Sequence, residues 1–237
     1  MTSLLKDFNY TSPIIVPGKY DNAEIETADN IGYRLKIDGQ QFMAYNINSH
    51  AEAYQVFSHY YFARGHVIVT GMGFGARENW ILTKPEVTKL TIIEKNESVL
   101  NYHKIIESPF LKDPRVEIVI TDASKYKSKC DVLLLDHYEK EPVEDILENV
   151  RKIKFNIECD LLWFWPLEEI IMYYKNSSVN INLTNYQSYK WIKKTFCLNK
   201  LPDLDKELIG LFCIMYEDIP SINKTEKLFS YFFFDCL

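Results

Sequence analysis

Five short apolar runs recur along the chain from residue 67 onward, and segments of helical periodicity separate them. They are Val67-Ile-Val-Thr70, Leu90-Thr-Ile-Ile-Glu94, Val116-Glu-Ile-Val-Ile-Thr-Asp122, Cys130-Asp-Val-Leu-Leu-Leu-Asp136 and Asp160-Leu-Leu-Trp-Phe-Trp165. Runs of about four to eight aliphatic and β-branched residues suit strands covered on both faces. A short helical segment follows the first run, a helix is expected over 96–107, and a turn at Asp113-Pro114 precedes the third strand. Another helix covers 142–153, opened by Pro142 and acids, the residues that helix N-termini favour. Pro166 opens the helix after the fifth strand. Regular alternation of strand and helix implies an α/β fold: a doubly wound, mostly parallel sheet with right-handed crossovers.

The first 64 residues follow a different rule. Ala23-Glu-Ile-Glu-Thr27, Gly32-Tyr-Arg-Leu-Lys-Ile37 and Gln41-Phe-Met-Ala-Tyr45 alternate polar and apolar side chains, and Asp38-Gly39 between the last two is a strong hairpin signal. A small antiparallel β-hairpin module is therefore expected over 1–64, ahead of the sheet domain at 65–237. A helix from Ser49 joins the two, with Ser49 or Asn48 as its cap and Ala53, Val56, Phe57 and Tyr60 on one face. In the tail, 179–183 reads as a short strand and 186–196 as a helix. The apolar stretches 208–216 and 228–234 read as a final pair of strands, with extension of a helix from 203–207 into the first as the alternative.

Candidate chemistry gathers where the first run enters Gly71-Met-Gly73-Phe-Gly75, because the next strand ends in Glu94 about twenty residues on. Glycines in such a turn let backbone pass close to a ligand, and an acid at the second strand's end can accept both hydroxyls of a ribose. Dinucleotide sites use G-x-G-x-x-G; here Ala76 stands at the third glycine's place, so spacing alone leaves the nucleotide class open. The third and fourth strands end in Asp122 and Asp136. Three consecutive strands that each bring a carboxylate to one sheet edge suit a ligand with ribose hydroxyls, an adenine amine and an ammonium group. In this the chain resembles the Rossmann-like, class I S-adenosylmethionine-dependent methyltransferase superfamily. The resemblance implies that Gly71, Met72, Gly73 and Gly75 line the methionine and ribose portions of S-adenosylmethionine. It also implies that Glu94 and Lys95 meet the ribose, Asp122 and Ala123 the adenine, and Asp136 the ammonium.

The hairpin module narrows the likeness. Residues 19–82, with Glu86-Val-Thr-Lys-Leu-Thr-Ile-Ile-Glu94 and Asp113-Pro-Arg-Val-Glu117, resemble the spermidine synthase (aminopropyltransferase) branch. Ile37-Asp-Gly39 is similar to its "LDG" turn, Ala53-Tyr54-Gln55 to the Tyr-Gln pair of its connecting helix, and Asp136-His-Tyr-Glu139 stands where that branch has D-S-S-D. By this resemblance Tyr54 joins the catalytic set, and Gln55 and Glu139 the substrate set. Two departures bear on chemistry. Phe74 occupies the place of the branch's G-G-G-D-G-G aspartate and cannot accept an ammonium proton, and His137-Tyr138 replaces the small pair between the two acids. A pocket without a carboxylate at the methionine end suits the intact cofactor better, since an acid there would repel its own carboxylate.

Composition adds limits. With 47% apolar and 25% charged residues a packed, soluble core is expected. A net charge of −6 gives no footprint for a nucleic-acid backbone, so the expected partner is a small molecule, and a homodimer stays open. Cys130, Cys159, Cys197, Cys213 and Cys236 are odd in number without CxxC spacing, which argues for reduced thiols and a cytoplasmic location over a disulfide framework or zinc site. No metal-ligand spacing appears among the histidines, no signal peptide is evident, and no apolar segment reaches the roughly 20 residues that span a bilayer.

The function expected from these readings is methyl transfer to a small-molecule nucleophile. Asp136 would bind the ammonium, orient the substrate or act as base; His137, titrating near neutrality, would take the nucleophile's proton. Trp165 and Pro166, at the end of the fifth strand, could wall the substrate pocket. The alternatives are aminopropyl transfer from decarboxylated S-adenosylmethionine and, in another class, a nucleoside-binding module without turnover.

Overall fold

The computed structural model of the chain describes residues 13–28, 32–45, 51–137, 142–176 and 183–217, with side chains for all of these except 51, 52, 54, 55, 216 and 217. The expected cap at Asn48 or Ser49, residues Tyr138 and Glu139, all but the last residue of the 179–183 strand, and the 228–234 strand lie outside the described residues.

The N-terminal module is a four-stranded antiparallel sheet in sequence order: β1 (Gly18–Tyr20), β2 (Ala23–Ala28), β3 (Gly32–Ile37) and β4 (Gln40–Tyr45). Ile37 pairs with Gln40, so Asp38-Gly39 is a two-residue hairpin loop, and φ of 52° and 79° there is the left-handed geometry such loops require. Helix α1 (Ala51–Phe62) follows, with Ala53, Val56 and Phe57 buried and Tyr60 half-buried on the expected face.

Five parallel strands form the second sheet: β5 (Gly65–Thr70), β6 (Val87–Glu94), β7 (Val116–Ile120), β8 (Ser128–Leu135) and β9 (Ile157–Phe164), in the spatial order β7-β6-β5-β8-β9. Helices α2 (Ala76–Ile81) and α3 (Glu97–Ile105) cross from β5 to β6 and from β6 to β7, and α4 (Val143–Asn156) crosses from β8 to β9. This is the Rossmann-like, doubly wound arrangement that the alternating pattern predicts. Val67, Ile68 and Val69 of β5 and Val132, Leu133, Leu134 and Leu135 of β8 are completely buried, as strands covered on both faces must be.

Three more helices complete the described chain: α5 (Leu167–Asn176), α6 (Asn185–Thr195) and α7 (Lys206–Glu217). The expected strand over 208–216 is thus a helix. Ile209, Phe212 and Cys213 are buried at helical spacing while Ile214 stays 55% exposed, and Asp205 caps the helix by accepting the Leu208 N–H at 2.8 Å. What selects the helix is non-local. Phe212 packs edge-on against Trp163 of β9 at 5.4 Å and Phe62 of α1 at 5.9 Å, contacts that a short apolar run does not disclose. Among the described residues no helix is long and apolar enough to cross a membrane.

The two sheets share one core. Tyr20 of β1 packs edge-on against Tyr102 of α3 at 4.9 Å, and the Asn101 amide donates to Asp21 at 2.9 Å. This docking carries β4 onto the loop that follows β5. The Asp205→Ala variant, which removes the cap of α7, is expected to lose about 1 kcal/mol of stability, read as a lower urea midpoint; an unchanged midpoint would count against the helix start at this position.

Candidate functional site

The order of the parallel strands reverses between β5 and β8, and in open sheets ligands gather beyond the carboxyl ends of the strands that flank such a reversal. A cleft of about 530 Å³ opens there, a volume suited to a small organic ligand. Gly71, Met72, Gly73, Phe74 and Gly75 line it, as do Glu94, Lys95, Asp122, Ala123, Asp136 and His137. All three strand-end acids therefore face one space. Tyr54 and Gln55 have their backbone in α1, but their side chains, like the whole of Glu139, lie outside the described residues.

Each acid is held differently. Glu94 is 7% exposed; one carboxylate oxygen accepts the Met72 N–H at 2.9 Å and the other the Asn96 N–H at 2.7 Å. Burial pushes its carboxyl above the usual range, against the pull of those N–H groups. Asp122 accepts from the hydroxyl of Ser124 at 2.7 Å and from its N–H at 2.9 Å, capping a 3₁₀ turn at Ala123–Lys125, and these bonds hold its carboxyl below the usual range. Asp136 is the more open group, 32% exposed at the side chain, and accepts from the Arg77 guanidinium at 3.0 Å.

Arg77 is the residue that motif reading passes over. It is 5% exposed and donates to the carbonyls of Thr70 and Gly71, to Glu78 and to Asp136, so one guanidinium joins the end of β5 to the end of β8. Burial raises the Glu78 carboxyl, and the adjoining Arg77 charge opposes the rise. The signal in the sequence was a consecutive Arg-Glu pair in a short helical segment between two apolar strands, which burial turns into an internal ion pair.

His137 is bonded at both ring nitrogens. Nδ1 lies 2.6 Å from the Thr70 hydroxyl and Nε2 3.2 Å from the Asn149 side-chain oxygen. The amide oxygen of Asn149 only accepts, so Nε2 carries the proton and the Thr70 hydroxyl donates to Nδ1. That same hydroxyl accepts the Asp136 N–H at 3.1 Å. Burial lowers the imidazole's basicity further. In place of the expected free base, the ring is a strut between β5, the end of β8 and α4.

The glycine loop lines the cleft and is fixed by its protein neighbours. Gly71, Gly73 and Gly75 all have positive φ, at 73°, 49° and 75°. A Cβ at Gly71 would lie 2.5 Å from the Asp136 carbonyl, at Gly73 2.8 Å from the Met43 sulfur, and at Gly75 2.5 Å from the Phe110 ring. Backbone conformation and protein neighbours both demand glycine here. Phe74, which lines the cleft, is buried and packs edge-on against Tyr45 at 6.0 Å. His103 braces the loop from below: Nε2 donates to the Gly73 carbonyl at 2.9 Å and Nδ1 accepts from the Ser108 hydroxyl at 2.7 Å.

No protein-family model matches the chain, and no curated protein sequence matches it. Among solved structures it is similar to the spermidine synthase from Thermotoga maritima, with a TM-score of 0.43 and 19% identity over 62% of this chain and 54% of that one. It is also similar to a spermidine synthase in complex with the transition-state analogue AdoDATO, with a TM-score of 0.43 and 19% identity over 61% of this chain and 63% of that one. The chain thus spans less than two thirds of the length of either protein.

Burial brings His103 down to about 4 from an ordinary 6.5. Between those values the unfolded chain binds a proton that the folded state refuses, so stability falls as pH drops from 6.5 toward 4. Wild type is expected to lose about 2 kcal/mol more than His103→Gln between about pH 7 and pH 5, measured by urea denaturation. Equal losses would mean that His103 is not the group responsible.

Proposed function

We propose that the cleft binds S-adenosylmethionine and that the protein is a methyltransferase acting on a small-molecule nucleophile. One juxtaposition carries this reading: a part-exposed carboxylate beside a backbone turn suited to an anion. Gly71, Gly73 and Gly75 have positive φ while Met72 and Phe74 between them do not, an alternation that lets successive N–H groups form an anion-binding concavity. Among the described residues no acceptor meets the N–H of Gly73 or of Phe74. Asp136, whose carbonyl lies against Gly71, supplies the complementary negative charge. An ammonium at Asp136 and a carboxylate at the turn are the two ends of an amino-acid zwitterion.

The remaining residues suit the adenosine portion. Glu94 accepts the Met72 and Asn96 N–H groups and lines the cleft, where its carboxylate would meet a ribose hydroxyl. Asp122, Ala123 and Lys95 line the same space and would meet the base and sugar edge. When bound, the cofactor supplies a methyl group already activated on a sulfonium, so the protein has to position the nucleophile and exclude water. Arg77 keeps Asp136 in place, and His137 with Asn149 holds the loop after β8 instead of moving a proton.

Decarboxylated S-adenosylmethionine would bring an ammonium alone and leave the turn without its anion, which ranks aminopropyl transfer second. Calorimetry separates the readings. S-Adenosylmethionine is expected to bind at least about tenfold more tightly than its decarboxylated form, a difference of about 1.4 kcal/mol. Glu94→Gln is expected to weaken it by about tenfold or more. The reverse preference would install the aminopropyltransferase, binding without turnover of any acceptor would leave a nucleoside-binding module, and a neutral Glu94→Gln would remove the ribose assignment.

A further inference from the structure

The opposite end of the parallel sheet carries a second feature, independent of the cofactor reading. Cys130 of β8 and Cys159 of β9 are register partners in the ladder. Such partners project their side chains to the same face from strands about 4.8 Å apart, inside the range of roughly 4.4–6.8 Å between Cα atoms that a disulfide spans. The preceding partners, Lys129 and Glu158, form an ion pair of 3.0 Å that supports the same register. Both thiols are free and buried, at 5% and 2% exposure.

A cavity of about 500 Å³ opens beside this pair at the amino ends of β8 and β9. Cys159 lines it together with Lys127, Lys154 and Lys200. Glu158, the acid on the same lining, is taken by Lys129. Burial pushes the Cys159 thiol up to about 11, and the charges of Lys200 and Lys154 pull against that rise. Burial raises Cys130 further, and the nearness of Cys159 adds to it. Two cations therefore converge on the sulfur that reaches the cavity. They favour its thiolate, the form that attacks a disulfide, and they favour an anion in the cavity.

We propose that Cys130 and Cys159 are a dithiol that exchanges with a small disulfide bearing carboxylates and closes into a cross-strand bridge. The Cys159 thiolate, its proton passed to solvent, attacks one sulfur of the small disulfide. A mixed disulfide forms, and one half of the small molecule leaves as a thiolate that solvent protonates. Cys130, its proton likewise lost to solvent, then attacks the Cys159 sulfur and expels the second half. The two cysteines lose two electrons in forming their bond, and the small disulfide gains them.

The test uses the full reduced chain, with oxidised glutathione as probe and cystamine, which carries ammonium groups in place of carboxylates, as rival. After hours at about pH 8, free thiols are alkylated and a digest is read by mass spectrometry. Peptides joined through Cys130 and Cys159 are expected from the native protein. Cys130→Ser is expected to stop at a glutathione adduct on Cys159, and Cys159→Ser to leave Cys130 a free thiol. When Lys154→Gln and Lys200→Gln are combined, the rate with glutathione relative to that with cystamine is expected to fall at least about fivefold. Joined peptides absent from the native protein, or found only after urea is added, would overturn the dithiol. An unchanged rate ratio in the double variant would overturn the choice of an anionic disulfide.

Discussion

A buried guanidinium governs the ligand-facing end of this sheet. Charge taken out of water is tolerated only when it is paired and hydrogen-bonded, and Arg77 meets that condition by reaching two backbone carbonyls and two carboxylates at once. Its partners belong to β5, α2 and the residue after β8, the elements that flank the reversal of strand order. Satisfying one buried cation therefore sets the spacing between the glycine loop and the loop after β8. The width of the cleft follows from that spacing, as does the partial exposure of Asp136.

Around this ion cluster the loops are held by groups that are neutral when buried. His103 donates to the Gly73 carbonyl, and the chain from Asn149 through His137 and Thr70 ends on the Asp136 N–H. Both imidazoles lose basicity through burial, so each is a hydrogen-bonding strut at neutral pH. Rigidity of this sort suits chemistry in which the protein's task is positioning.

The small N-terminal sheet has a part in the same design. Its dock on α3 brings β4 against the loop after β5, where the Met43 sulfur takes the space a Cβ would fill at Gly73. That sheet gives the cleft Leu35, Gln41, Phe42, Met43 and Ala44 as lining residues. A β-bulge falls at Phe42, a residue that lines the cleft, while the rest of the strand continues the hairpin.

Sequence by itself determined the five parallel strands, the Asp38-Gly39 hairpin, the glycine turn and the convergence of Glu94, Asp122 and Asp136, because each is a local signal: periodicity, turn chemistry, or an acid at a strand end. Tertiary structure alone decided what those residues touch. It made 206–217 a helix through the contacts of Phe212 with Trp163 and Phe62, gave His137 two partners, put Met43 and Phe110 where the glycines lack side chains, and paired Asp136 with Arg77. Each of these joins residues far apart in the chain, and burial, which sets the strength of such contacts and the charge state of the groups that make them, exists only once the elements have packed.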